Sequence, residues 1–253
     1  MSVKKAQLKG RRNRYEDTVL LRLHEVLPPG VTVTLLADRG FGDQNLYALL
    51  KDLGFDFIIR FRGVVVVESR DGEVRAAREW VPPDGKTRQL KDARVTTDRY
   101  PVHSVVCVKA RRMKDAWCLA VGGSTRTGAT AVKLHARRFT IEESFRDTKD
   151  PRYGLGLSAT HVHDVRRRDR LLLICAMAMT LLTLLGAAGE SLRMDRMLKA
   201  NTVKKRTHSL FRQGCHYYAS IPAMKQELLD PLVQRFGEYL FREPVYVHAF
   251  GLK

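Results

Sequence analysis

Asp38 and Glu142 are the two side chains in this sequence best placed by type to do chemistry together. Phosphoryl transfer assisted by two metal ions needs carboxylates that converge from different elements on divalent cations a few ångströms apart. Asp38 closes a short apolar run, Val31–Ala37, and a strand end of that kind is where ligand sites form in parallel sheets. Glu142 belongs to a polar series, His135, Arg138, Glu142 and Lys149. At about 100° per residue, these four fall within roughly 60° of one another on a helix. Leu134, Ile141 and Phe145 form an apolar stripe about 40° wide beside them. The spacing predicts one helix from Ala131 to Lys149, packed through its stripe and presenting an acid and bases along the edge of the packed face. Glu143 points about 100° away, which makes Glu142 the better ligand. Each feature also has a plain reading: the helix face as solvated i,i+4 ion pairs, and Asp38-Arg39-Gly40 as a turn cap.

Elements that could carry these residues are legible on either side. Val19, Leu20, Leu23, Val26 and Leu27 recur at helical spacing, and Pro28-Pro29-Gly30 stops that helix. Val31–Ala37 reads as a buried strand, Gln44–Leu53 as a helix closed by Gly54, and Phe55–Phe61 as a second buried strand. Strand, loop, helix and strand in so short a span make a βαβ unit with parallel strands. From Gly63 to about Val121, short strands (Val64–Val67, Val102–Val108, Trp117–Val121) alternate with turn signals such as Asp71-Gly72, which reads as a β-rich insertion. The pattern is helical from Gly128 to about Ser191. The tail is mixed, with a helix expected from Met224 to Leu240.

Composition narrows the partners. Forty-five Lys and Arg against 27 Asp and Glu leave a net charge of +18, the footprint of a polyanion binder rather than an ordinary surface. Cys107, Cys118, Cys175 and Cys215 form no C-x-x-C pair, so neither a zinc knuckle nor a disulfide framework is indicated. No apolar segment follows the basic N-terminus, which excludes a signal peptide. Leu171–Gly189 is uncharged and close to bilayer-spanning length, but a buried core helix has the same texture and suits the basic, cytosolic character of the rest.

The stretch His135–Lys149 resembles the Y-(2)-R-(3)-E-(6)-K signature of DDE transposases of the insertion-sequence 4 class. Arg138, Glu142 and Lys149 match in type and spacing, and His135 stands where the family has tyrosine. Arg138-Phe-Thr-Ile-Glu-Glu-Ser-Phe-Arg-Asp-Thr-Lys149 is similar to the family's R-W-x-I-E-x-x-F-x-x-x-K, continued by Gly154-Leu155. Thr34-Leu-Leu-Ala-Asp-Arg-Gly-Phe41 is similar to its second-aspartate motif. The resemblance extends from Asn13 to about Gly189, and more weakly over Ser209–Gly214. It implies that Asp38 and Glu142 bind Mg²⁺ or Mn²⁺, and that Arg138, Lys149 and His135 hold DNA phosphates. Phe139, at the position of a family tryptophan, is implied to stack on a distorted end base, although ordinary packing would use it equally well. His161 and His163 lack a third ligand and read as loop residues. His208, Tyr217 and Tyr218 are left as surface or interface.

The expected fold is an α/β RNase H-like catalytic domain, incomplete at its N-terminus, with a β-rich insertion and a helical C-terminal part. Its segments are 1–62, 63–122, 123–190 and 191–253. The family's first aspartate has no counterpart here: Asp17, the only earlier one, lies on a helix. The resemblance therefore implies DNA cleavage and strand transfer at insertion-sequence ends, in a chain expected to be an inactive fragment. The rival expectation is a DNA-binding or dimerising remnant that modulates a full-length transposase. Expected partners are terminal-repeat and target DNA and a second copy of the chain, with no membrane, in the cytoplasm at the nucleoid. Val31–Ala37 is expected to lie at a sheet edge and to promote self-association.

Overall fold

In the computed structural model, the residues described are 10–111, 113–123, 126–152, 154–242, 246–247 and 251. The described residues separate into two compact units, one up to residue 143 and the other from residue 144 onward.

The first unit begins with α1 (Arg12–Val26), β1 (Thr34–Ala37), α2 (Gln44–Asp52) and β2 (Asp56–Phe61). β1 and β2 are parallel, with Thr34 opposite Asp56 and Ala37 opposite Ile59, so the βαβ expectation holds. The side chain of Asp43 caps α2 by accepting the Asn45 N–H at 3.0 Å. Gly54 closes α2 in the left-handed region (φ 68°), where a residue without a Cβ costs nothing. Leu46, Tyr47 and Leu50 of α2 and Leu20 of α1 join Phe57, Ile59 and Phe61 in the larger core on one face of the sheet.

The stretch read as an insertion divides in two. β5 (Arg88–Lys91), β8 (Ser104–Val108) and β9 (Trp117–Gly122) join β1 and β2 in one five-stranded sheet of order β1-β2-β9-β8-β5. β3 (Val66–Glu68), β4 (Val74–Ala76), β6 (Arg94–Val95) and β7 (Tyr100–Pro101) form a separate four-stranded sheet of order β4-β3-β6-β7. β5, β8 and β9 therefore extend the sheet begun by β1 and β2, while β6 and β7, between β5 and β8 in sequence, belong to the second sheet. β4, β5, β6 and β7 carry mostly charged or short runs, which is why periodicity did not reveal them. β1 stands at one edge of the five-stranded sheet.

The largest departure concerns the helix expected from Ala131 to Lys149. Two helices stand there, α3 (Gly128–Ala136) and α4 (Phe139–Lys149). Between them the backbone tightens: Arg137, Arg138, Thr140 and Ile141 each donate to the carbonyl three residues back, at 3.0 Å. The Thr140 hydroxyl also donates to the Arg137 carbonyl at 2.7 Å, offering the backbone a local alternative to the helix ladder. A single helical face through 135, 138, 142 and 149 is thus replaced by a corner. Of the expected apolar stripe, only Leu134 packs on the second core, with Ile58, Val106, Leu119, Val121 and Ala131. Ile141 and Phe145 are exposed.

The second unit is built on α5 (Val165–Ser191), α6 (Leu210–Ser220) and α7 (Gln226–Arg242). α5 is long and apolar enough to cross a membrane by length and composition, and 22% of its apolar window is buried. The expectation of a helix buried all round holds only for its C-terminal end, where Leu185 and Ala188 pack with Tyr217 of α6 and Leu232 of α7. Leu172, Leu173, Ile174 and Met177 are exposed. Glu190 accepts hydrogen bonds from Arg206 and, at 2.8 Å, from Gln213, whose own amide oxygen accepts from the Tyr217 hydroxyl at 3.2 Å. This network pins the end of α5 to α6. Within it, the Arg206 hydrogen bond holds the Glu190 carboxyl below its ordinary pKa against a smaller effect of burial.

Candidate metal and nucleic-acid site

The parallel pairing of β1 and β2 sets Asp38 beside Arg60. Asp38 follows the last residue of β1, and one of its oxygens accepts the Arg39 N–H at 2.8 Å, capping the turn Arg39–Phe41. The turn-cap reading is therefore true of this oxygen. Gly42, next in line, packs so tightly on β2 that a Cβ would sit 2.9 Å from the Phe61 Cβ, which fixes the turn against the sheet.

Two guanidiniums converge on the Asp38 carboxylate. Arg60 Nη1 lies 3.8 Å from Oδ1, and Arg138 Nη2 lies 3.6 Å from Oδ2. The other Arg138 nitrogen, Nη1, lies 3.5 Å from Glu142 Oε1. The corner between α3 and α4 thus brings Asp38, Arg138 and Glu142 together through one guanidinium, although the continuous helix expected to present them is absent. Asp38 and Glu142 stay open to solvent at 37% and 67% side-chain exposure, while both arginines are 15% exposed. Burial by itself would raise the Asp38 pKa. The Arg39 N–H and the charges of Arg138 and Arg60 outweigh it, so the carboxyl sits below its ordinary value and is ionised at neutral pH.

Arg60 was not singled out by sequence, although a signal existed. It is the lone cation inside Asp56–Phe61, a strand otherwise almost wholly buried, and an arginine there needs partners. Besides Asp38 it has the Ala116 carbonyl, to which Nη2 donates at 3.2 Å, and Asp115 at 3.8 Å. The Nε atoms of Arg60 and Arg138 are both buried, without a hydrogen-bond partner among the described residues.

His135 requires a correction. It was expected to meet a phosphate, yet it is 1% exposed, edge-on to the Trp117 ring at 4.9 Å. A ring so enclosed supports the corner from inside. Burial, with the Arg138 charge, pushes its pKa down to about 4, against a hydrogen bond to the Ile58 backbone. The depressed pKa means that the neutral ring stabilises the fold fully above pH 6.5, and that this contribution is lost as pH falls toward 4. The expected loss is about 3 kcal/mol across that window. Urea unfolding at pH 7 and pH 4.5 checks it: wild type should lose most of this stability, and His135→Phe should be much flatter. Phe139, in contrast, is exposed; its ring lies 6.2 Å from that of Trp117, and the Arg138 guanidinium sits 4.9 Å over its face.

Lys149 belongs to the second unit. Its ammonium lies 5.6 Å from the Phe145 ring centre, and it lines an open cleft of about 500 Å³ with Arg146, Asp150, Pro151, Arg152 and Ser158.

Among the described residues, no group of three or more His, Cys, Asp or Glu stands close enough to hold a metal ion. Two carboxylates with waters and substrate phosphates are nevertheless the usual donor set for Mg²⁺, which dehydrates reluctantly. Asp38 and Glu142, which share the Arg138 guanidinium, are donors of that type. No curated protein matches the chain. A family model does, over residues 3–181, which include Asp38, the Arg138 corner, Glu142 and Lys149; the chain belongs to the transposase DDE domain family.

Proposed function

We propose that the chain is a transposase of the insertion-sequence 4 class with an RNase H-like catalytic core, acting in metal-dependent DNA cleavage and strand transfer at element ends. The observation that carries this reading is the meeting of Asp38 and Glu142 on the Arg138 guanidinium, from a strand end and a separate helix. In this role Asp38 and Glu142 hold Mg²⁺ or Mn²⁺, which when bound supplies charge stabilisation to the reacting phosphate oxygens. Arg138 grips a phosphate as a fork, and Lys149 meets the backbone as a point charge. Phe139 offers its exposed ring to an unstacked base. The working location is the nucleoid, and the edge strand β1 favours pairing with a second copy.

A second reading is a DNA-binding chain without catalysis of its own, which modulates an active transposase. It is favoured by the convergence of only two acids among the described residues. Both readings require DNA binding, which anisotropy of a labelled duplex measures. Affinity should fall steeply with salt, because each phosphate contact releases about one counterion. Arg138→Ala and Lys149→Ala should each weaken binding roughly tenfold and lower the salt slope by about one, with the far-ultraviolet spectrum unchanged. A shallow slope, or wild-type affinity in both variants, would show that the +18 charge is surface decoration.

A further inference from the structure

We infer that Arg138 guards the acidic pair, so that the divalent ion and DNA bind with positive linkage: a DNA phosphate draws the guanidinium off Asp38 and Glu142, and the vacated space then accepts the ion. The inference rests on the reading of those two residues as metal ligands.

Arg138 and an ion cannot share the site. The guanidinium bridges the two acids, 3.6 Å from an Asp38 oxygen and 3.5 Å from a Glu142 oxygen. Mg²⁺ bound by both acids needs their oxygens at about 2.0–2.1 Å, so it competes with the guanidinium for the same oxygens. The guard is also loosely held. Charge-assisted N–H···O bonds run at about 2.7–2.9 Å, and neither Arg138 contact comes near that. Its Nε is buried with no hydrogen-bond partner among the described residues, so this fork is incompletely satisfied where it sits. A phosphate offers bidentate bonding that the two divergent acids do not.

Arg60 has a different part. The Ala116 carbonyl and Asp115 anchor it, so it remains 3.8 Å from Asp38 when Arg138 leaves. A standing positive charge there disfavours a second cation until a phosphate contributes negative charge. Both arginines therefore act in the same direction: the ion binds weakly alone and more strongly with DNA.

Linkage is reciprocal, so the effect of metal on DNA affinity measures the coupling directly. The experiment titrates the full chain into a labelled duplex of arbitrary sequence, with and without saturating Mn²⁺ at matched ionic strength. Electron paramagnetic resonance separately reads Mn²⁺ bound to the protein alone. Wild type should bind the duplex about tenfold tighter with Mn²⁺, within the usual range of coupling. Arg138→Gln should bind Mn²⁺ alone more tightly than wild type and show less than a twofold effect of Mn²⁺ on DNA. Glu142→Gln should lose the Mn²⁺ effect. If wild type binds Mn²⁺ but its DNA affinity does not change, the linkage is wrong while the metal reading survives. If neither wild type nor Arg138→Gln binds Mn²⁺ and DNA affinity is unmoved, the metal reading itself falls and the linkage with it. The wild-type comparison decides the question even if Arg138→Gln fails to fold.

Discussion

Gly214→Val should unfold the unit of residues 144–253. α5 and α6 approach so closely that a β-carbon at Gly214 would fall on the Leu182 carbonyl oxygen, with the Leu182 Cα only 3.1 Å away. The contact is reciprocal: a β-carbon at Gly186 would fall on the Leu210 carbonyl oxygen, and one at Gly189 would enter the Tyr217 ring. Backbone cannot step aside as a flexible side chain can, so the helices must separate. Separation strips Leu185, Ala188 and Tyr217 of their packing and breaks the hydrogen bond from Gln213 to Glu190. Overpacking a core costs about 1–3 kcal/mol even where side chains can yield, and a backbone clash costs more. With total stabilities of about 5–15 kcal/mol, Gly214→Ala should already lower the melting temperature strongly, and Gly214→Val should abolish the cooperative transition of this unit. Gly237→Ala is the control. It sits in α7 with open space around it, and removing a helical glycine should stabilise by up to about 1 kcal/mol. Circular dichroism melts and limited proteolysis of the three variants separate the cases. A Gly214→Val chain that melts like wild type would mean that α5 and α6 do not pack as described.

What could be read from sequence follows the strength of the local signal. Apolar runs bounded by turn residues gave β1, α2 and β2 to within a few residues, and with them the parallel pairing that sets Asp38 beside Arg60. β5 and β6 were missed because charged residues dominate their short spans, and they are strands only through their partners, β8 for one and β3 and β7 for the other. The corner at Arg137–Arg138 was invisible to periodicity, since 135, 138, 142 and 149 fit a continuous helix without a break. The competing Thr140 hydroxyl bond and the pull of Asp38 on Arg138 are tertiary and local-polar effects that a helical wheel does not contain. The same limit explains His135, whose helical position matched a phosphate-facing edge until the turn rotated it beneath Trp117. Glu142 still meets Arg138 because i,i+4 spacing persists across the start of α4. The apolar character of α5 showed that it buries surface, and the glycines at 186, 189 and 214 mark where; neither says what meets Leu172, Leu173 and Ile174.

Metal-directed cleavage reports whether Asp38 and Glu142 together hold one divalent ion. Fe²⁺ substituted for Mg²⁺, with ascorbate and peroxide, releases hydroxyl radicals that cut the polypeptide within a few ångströms of the bound ion. The two residues are far apart in sequence but share a guanidinium, so one ion should produce two sets of cuts. The chain is treated with duplex DNA present and with it omitted, and the protein fragments are sized by mass spectrometry. Breaks should cluster around residue 38 and around residue 142, stronger with DNA, suppressed by excess Mg²⁺ and lost in both Asp38→Asn and Glu142→Gln. Cuts at neither place, or cuts elsewhere that survive both substitutions, would contradict binding of one ion by both residues.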